Sequence, residues 1–170
     1  AQGTGAAAGF PSRPIRIANL DEWVWGDIFP AGDYAYLGGS PFRPLDVRDP
    51  SRPVVGEAGA LSGSWGTLGV SFVGPYAVVG QEWGGLQILD VSDPARISRL
   101  GVYRPPSDYG RILYVDVHRT TVYTRDGYGL RILDTSDPSE VISLGHYGWI
   151  SGFGELLVQG TVLYAGSPLH

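Results

Sequence analysis

Cysteine, methionine and lysine are all missing from this chain. Without cysteine there are no disulfides, no thiolate metal sites and no thiol nucleophile. The redox compartment stays open, because a large β core can stand without covalent staples. Without lysine, all 12 cationic side chains are arginine, and asparagine occurs once, at Asn19; these two shortages fit a GC-rich coding sequence. Charge is sparse too, at 17% of 170 residues, with a formal net charge of −5. A net acidic chain lacks the basic face that phosphate backbones require, which argues against a nucleic-acid partner. No run approaches the roughly 18 apolar residues of a spanning helix, so the chain is not expected to cross a membrane that way.

What is plentiful is turn chemistry and apolar surface. The chain has 26 glycines, 13 prolines and 43% hydrophobic residues. That is too apolar for disorder and too rich in turn formers for helices, and it points to an all-β fold of many short strands. The chain opens Ala1-Gln2 without a methionine, a pattern found just after signal-peptidase cleavage. The expectation is an extracytoplasmic protein, in the periplasm, at the cell surface or secreted; the alternative is that Ala1 is no processing site.

One period organises the chain. Leu45-Asp46-Val47-Arg48-Asp49-Pro50 returns as Leu89-Asp90-Val91-Ser92-Asp93-Pro94 and as Leu133-Asp134-Thr135-Ser136-Asp137-Pro138, 44 residues apart each time. A second landmark keeps the same step: Trp65-Gly66, Tyr109-Gly110 and Phe153-Gly154, preceded by Trp25-Gly26 40 residues before Trp65. Each unit carries four alternating apolar segments broken by Gly-Pro, Asp-Gly and Asp-Pro turns. In the second unit these are residues 68–73, 76–80, 86–91 and 97–103; in the third, 112–117, 121–125, 130–135 and 141–147. Four antiparallel strands at this period describe a propeller blade. The predicted fold is an all-β propeller of about four four-stranded blades. A flexible tail would cover residues 1–13. The blade units would run over about 21–60, 61–104 and 105–148, then 149–170 completed by a strand at 14–19.

Gly84-Gly85-Leu86-Gln87-Ile88-Leu89-Asp90-Val91-Ser92-Asp93-Pro94 resembles the LVIVD-repeat family, as does the stretch from Gly129 to Pro138. Gly101-Val102-Tyr103, Gly145-His146-Tyr147 and Tyr109-Gly110-Arg111 match further elements of that repeat. The first unit departs from it, with Ser40-Pro41-Phe42-Arg43-Pro44 in place of the Gly-Gly-Leu approach, so its third strand is expected to be short or irregular. The resemblance implies a propeller in a prokaryotic, often exported or surface-attached protein, with no general enzymatic activity and no particular ligand.

The last unit lacks its Leu-Asp-Val strand. Pro14-Ile15-Arg16-Ile17-Ala18-Asn19 looks like Leu130-Arg131-Ile132-Leu133-Asp134, and pairing it beside residues 161–166 would close the ring. It could instead complete a second copy's blade, giving a homodimer by strand exchange, or the chain could be one portion of a longer propeller.

The candidate binding residues are Trp25, Trp65, Tyr109 and Phe153, placed at the openings of the innermost strands, together with Arg111. Exposed there, they would offer flat apolar faces to a protein partner or a glycan; buried, they would pack blade against blade. Asp46, Asp49, Asp90, Asp93, Asp134 and Asp137 read as turn residues that accept backbone N–H bonds, since two aspartates per strand end fall short of the converging ligands of a calcium loop. His118, His146 and His170 share no metal-ligand spacing, so neither metal nor cofactor is expected. Trp83 sits at a predicted turn as a surface anchor. The function these features favour is a non-catalytic binding or assembly module in a larger bacterial surface or envelope complex. The alternatives are a carbohydrate-binding module, or an extracellular glycan-acting enzyme using Asp116, near His118, or Glu155.

Overall fold

A computed structural model of the chain describes residues 26–39, 41–58, 66–106, 111–148 and 156–166. All regular structure among them is strand. The first sheet holds β1 (Ile28–Ala31), β2 (Tyr34–Leu37), β3 (Arg43–Asp46) and β4 (Val54–Val55). The second holds β5 (Thr67–Val73), β6 (Tyr76–Gln81), β7 (Gly85–Asp90) and β8 (Ser98–Tyr103). The third holds β9 (Ile112–His118), β10 (Thr121–Asp126), β11 (Gly129–Asp134) and β12 (Ile142–Gly148). A fourth, of two described strands, pairs β13 (Leu156–Gln159) with β14 (Val162–Ala165). Every sheet is an antiparallel meander in chain order, which makes each a blade of a β-propeller. In the second and third blades the strand bounds fall within a residue of those expected.

Burial on both faces explains the sequence of the middle strands. A blade sandwiched between two others has no solvated face, so its central strands read as continuous apolar runs rather than alternating ones. On β6, Ala77 and Val79 join Tyr36 and Phe42 of the first blade, whereas Val78 joins Ile112, Val122 and Leu133 of the third. Tyr36 stacks on Phe42 at 5.4 Å and tilts against Phe72 of the next blade at 5.2 Å. The innermost strands of adjacent blades come close: a Cβ on Gly69 of β5 would lie 3.1 Å from the backbone nitrogen of Val115 on β9. Even the irregularities repeat, with a register shift at Ile88/Leu89 and another at Ile132/Leu133.

The first blade is shortened as its sequence implies. Pro44 sits in β3 opposite Tyr36; it has no N–H to give the ladder, and β4 is only two residues long. Phe42, fully buried, takes the place that Leu86 fills in the second blade.

The innermost strands of the first three blades begin at Ile28, Thr67 and Ile112, one or two residues after the aromatic-glycine pairs in sequence. Gly26 shows why: its φ is +125°, and a Cβ there would lie 2.1 Å from the carbonyl oxygen of Gly38. The chain turns tightly under the neighbouring loop before it can extend. The aromatics themselves, Trp25, Trp65, Tyr109 and Phe153, lie outside the described residues, as does the segment 14–19.

Candidate functional site

The meander gives each blade two unlike ends. One rim collects the turns after the innermost strands together with the Asp-Pro turns. Asp90 accepts the N–H and hydroxyl of Ser92 at 2.9 and 2.6 Å, and Asp93 accepts the N–H of Ala95 at 3.0 Å. One blade on, Asp134 accepts the N–H of Ser136 at 2.8 Å, and Asp137 accepts the N–H and hydroxyl of Ser139 at 2.9 and 2.6 Å. In the first blade Asp49 takes the same pair of bonds from Ser51, while Asp46 holds the Arg48 backbone N–H and guanidinium. These donors stabilise the ionised form, so Asp90, Asp49 and Asp137 are held below the usual carboxylate range by their serines, and Asp46 by Arg48. Each strand exit is also tied to the adjacent turn: Val91 N–H donates to Pro75 at 2.8 Å and Thr135 N–H to Thr120 at 2.8 Å. On this rim, shallow crevices of about 320 and 220 Å³ separate the blades, with Tyr34 and Pro94 in the first and Tyr76 and Pro138 in the second.

The opposite rim carries the turns between second and third strands. Its chemistry is aromatic and ionic. Trp83, at the tip of the second blade, is 41% exposed, and Tyr128, at the tip of the third, is 38% exposed. Arg111 leads into β9 and reaches back to the second blade. Its Nη2 lies 2.7 Å from Glu82 Oε1, and its guanidinium stands 5.8 Å from the centre of the Trp83 ring. The carboxylate thus holds an arginine within cation–π reach of the indole face.

Beneath these tips runs a layer of buried polar pairs. Gln87 donates to Gln81 in the second blade, and Arg131 pairs with Asp126 in the third. Asp126 also accepts the N–H of Tyr128 at 2.8 Å, which ties the aromatic tip to the layer. Thr67 Oγ1, Gln81 Nε2 and Arg111 Nε are buried without a hydrogen-bond partner among the described residues.

Of the candidate binding residues, Arg111 is described and lies within this rim; Trp25, Trp65, Tyr109, Phe153 and Glu155 lie outside the described residues. Asp116 is engaged elsewhere. Its Oδ1 accepts the N–H of Val117 at 2.8 Å and its Oδ2 that of Val158 at 2.6 Å, bonding the third blade to the fourth. His118 ends β9 and His146 lies on β12. Among the described residues no three His, Cys, Asp or Glu side chains are grouped to hold a metal, and no helix is long and apolar enough to cross a membrane. Sequence reasoning missed Glu82 and both buried pairs. By strand the pairs sit alike, at the last residue of a second strand and the third residue of the strand that follows, but the 44-residue step sets Gln81 beside Arg125 instead of Asp126, so superposed sequences do not show the match.

A family model described as LVIVD repeat matches residues 67–104 and 122–148. The first stretch spans all four strands of the second blade, the second stretch the last three of the third. The chain carries LVIVD repeats there. No curated protein matches. Among solved structures, the computationally designed Ika4 protein superposes with a TM-score of 0.67 at 10% identity, covering 92% of this chain and 94% of that one. The computationally designed Ika8 protein superposes with a TM-score of 0.62 at 10% identity over 82% of this chain, which spans 42% of its length. At such identity the likeness is one of fold.

Proposed function

We propose that this LVIVD-repeat propeller is a non-catalytic binding and assembly module that docks a protein partner on the rim bearing Trp83 and Tyr128. The observation that carries the reading is the Glu82–Arg111–Trp83 arrangement. It presents a large part-exposed aromatic backed by an ion-paired arginine, and Tyr128 repeats that exposed tip one blade further on. Part-exposed aromatics and arginine are the residues that dominate interface energetics, and orienting them beforehand lowers the ordering cost of association. Of the two carboxylates that a hydrolytic reading would enlist, Asp116 bonds the neighbouring blade and Glu155 lies outside the described residues. The setting we propose is extracytoplasmic, within a larger surface or envelope assembly, following the family resemblance; fractionation of source cells tests it directly.

The same indole face suits a sugar ring, so a glycan ligand is the second reading. The test compares tagged chain with the Trp83→Ala/Tyr128→Ala variant, both recovered from native envelope material under mild crosslinking. Loss of one stoichiometric protein by tenfold or more, with an unchanged circular dichroism spectrum, supports protein docking. Undiminished recovery of every partner sinks the rim as the docking face. Retention on a glycan array that falls with the Trp83 substitution replaces protein by carbohydrate, and turnover of a glycan that Asp116→Asn abolishes overturns the non-catalytic reading.

A further inference from the structure

The two crevices between blades share a plan and differ in charge. Each has the first residue of a second strand on one wall, Tyr34 or Tyr76, and the proline of the next blade's Asp-Pro turn on the other, Pro94 or Pro138. Asp46 and Glu57 line the first crevice. Arg119 and Ser136, both exposed, line the second. Arg119 stands at a costly position. It opens the turn between β9 and β10, and its φ of +57° is the only positive value at a non-glycine among the described residues. The same turn in the other blades holds Gly32, Gly74 and Gly160, at φ of +60°, +54° and +62°. Glycine takes that backbone without strain and arginine does not, so nothing in the turn itself asks for arginine.

The guanidinium is uncommitted: Arg119 makes no hydrogen bond, ion pair or ring contact among the described residues. Ser136 is released as well. Its N–H donates to Asp134 at 2.8 Å, but its hydroxyl makes no hydrogen bond among the described residues. One blade earlier the Ser92 hydroxyl bonds Asp90 at 2.6 Å. Thr120 keeps the two free groups side by side, because its carbonyl accepts both the N–H and the hydroxyl of Thr135, at 2.8 and 2.9 Å. The rest of the wall is largely apolar, with Val73, Pro75, Tyr76 and Pro138. The crevice encloses about 220 Å³, less than the roughly 300 Å³ at which pockets for free small molecules begin. It has room for one side chain of a larger partner.

We propose that the crevice between the second and third blades anchors an acidic segment of a protein partner. The segment seats one apolar side chain between Tyr76 and Pro138 and pairs an adjacent carboxylate with Arg119 and the Ser136 hydroxyl. A carboxylate is the side-chain group that a forked guanidinium and a free hydroxyl fit best. The first crevice, lined by Asp46 and Glu57, repels the same group, so charge alone tells the two apart. This contact lies on the rim opposite Trp83 and Tyr128 and does not rest on docking there.

Blocked dipeptides test the site, because each carries one apolar and one polar side chain. Acetyl-leucyl-aspartyl-amide, titrated into the isotope-labelled full chain, is expected to shift the amide signals of Thr120 and Ser136 saturably, with millimolar affinity. Gly56 and Ala95, at the first crevice, should stay in place. The asparaginyl counterpart should bind about fivefold more weakly, the most that one exposed ion pair supplies. Arg119→Gly gives the turn the residue its three counterparts carry. Its urea midpoint should rise as the strain is relieved, and the two dipeptides should then bind alike. A midpoint that falls would make Arg119 a support of the fold, and an aspartyl preference that survives the substitution would take the arginine out of the site; either result overturns the proposal. So does the absence of saturable shifts at tens of millimolar, or equal shifts at both crevices. Sodium acetate reproducing the shifts would reduce the site to a bare anion contact with no apolar anchor. Trp83→Ala/Tyr128→Ala should leave the titration unchanged, and a titration lost in that variant would move the contact to the other rim.

Discussion

The second and third blades occupy equivalent places in one repeat, yet they fill the same buried polar position differently. The second uses two amides, Gln81 and Gln87; the third uses Asp126 and Arg131, whose side chains are 0% and 8% exposed. Both pairs sit where a second strand ends and the third begins, under an exposed aromatic tip. What the position requires is therefore a hydrogen-bonded pair, with charge as one way to make it. The ionic version is the more hazardous of the two. Two charges taken from water stabilise a fold only while each keeps its partner, and replacing both by a well-fitting neutral pair is often neutral or better.

The largest predicted effect breaks this comparison on one side only. Arg131→Ala leaves Asp126 buried without its counter-ion and should cost about 3–5 kcal/mol in urea unfolding. The double change Asp126→Gln/Arg131→Gln transplants the second blade's arrangement and should recover most of that loss, ending within about 1 kcal/mol of the parent. If Arg131→Ala alone is mild, water reaches the pair and the two blades are not equivalent at this layer.

How far the sequence could be read follows from where each contact's partner lies. The blades were legible because their signals are local. Asp-Pro turns, glycine-proline breaks and short apolar segments recur at fixed steps, and an aspartate bonding two residues ahead leaves its mark in the motif itself; burial of the central strands on both faces came only with the neighbouring blades. The structural bond of Asp116 was hidden for the opposite reason. A carboxylate two residues from His118 resembles acid–base chemistry, but its second bond goes to the backbone N–H of Val158, 42 residues away, and a backbone donor has no sequence signature. Arg111 was singled out for its place beside the aromatic-glycine pair, whereas its tie to Glu82 crosses from one blade to the next and no spacing within a repeat announces it. The polar pairs lay between these cases, because the turn between second and third strands is one residue shorter in the third blade and shifts Asp126 off the 44-residue step from Gln81.

A middle-sized effect sharpens the second contrast between the blades, the covered and open outer strands. Gly101→Ala forces a methyl against the Pro138 carbonyl of the next blade and should destabilise by about 1–3 kcal/mol, the usual cost of overpacking. Gly145→Ala, its equivalent one repeat on, enters open space and should fall within about 0.5 kcal/mol of the parent. Paired urea titrations decide it. Equal losses would mean that something covers the third blade as closely as the third covers the second.

The smallest effect concerns the turn carboxylates, where the blades again differ in detail. The serine hydroxyl bonds the first aspartate of the motif in the second blade, Asp90, and the last in the third, Asp137. In both cases the folded carboxylate lies below its ordinary value of 3.8. A folded-state pKa lower than the unfolded one adds stability at pH above the unfolded value, and that increment disappears as pH falls through the folded value. Stability should therefore be level near neutrality and decline below pH about 4. Ser92→Ala removes the first-named cause of the shift at Asp90 while leaving the backbone N–H bond, so its carboxyl should titrate closer to 3.8 and the acid decline should become shallower. Ser139→Ala should do the same at Asp137 without moving Asp90. Carboxyl chemical shifts followed against pH separate the two sites, and an unmoved Asp90 in Ser92→Ala would assign its shift to the backbone bond alone.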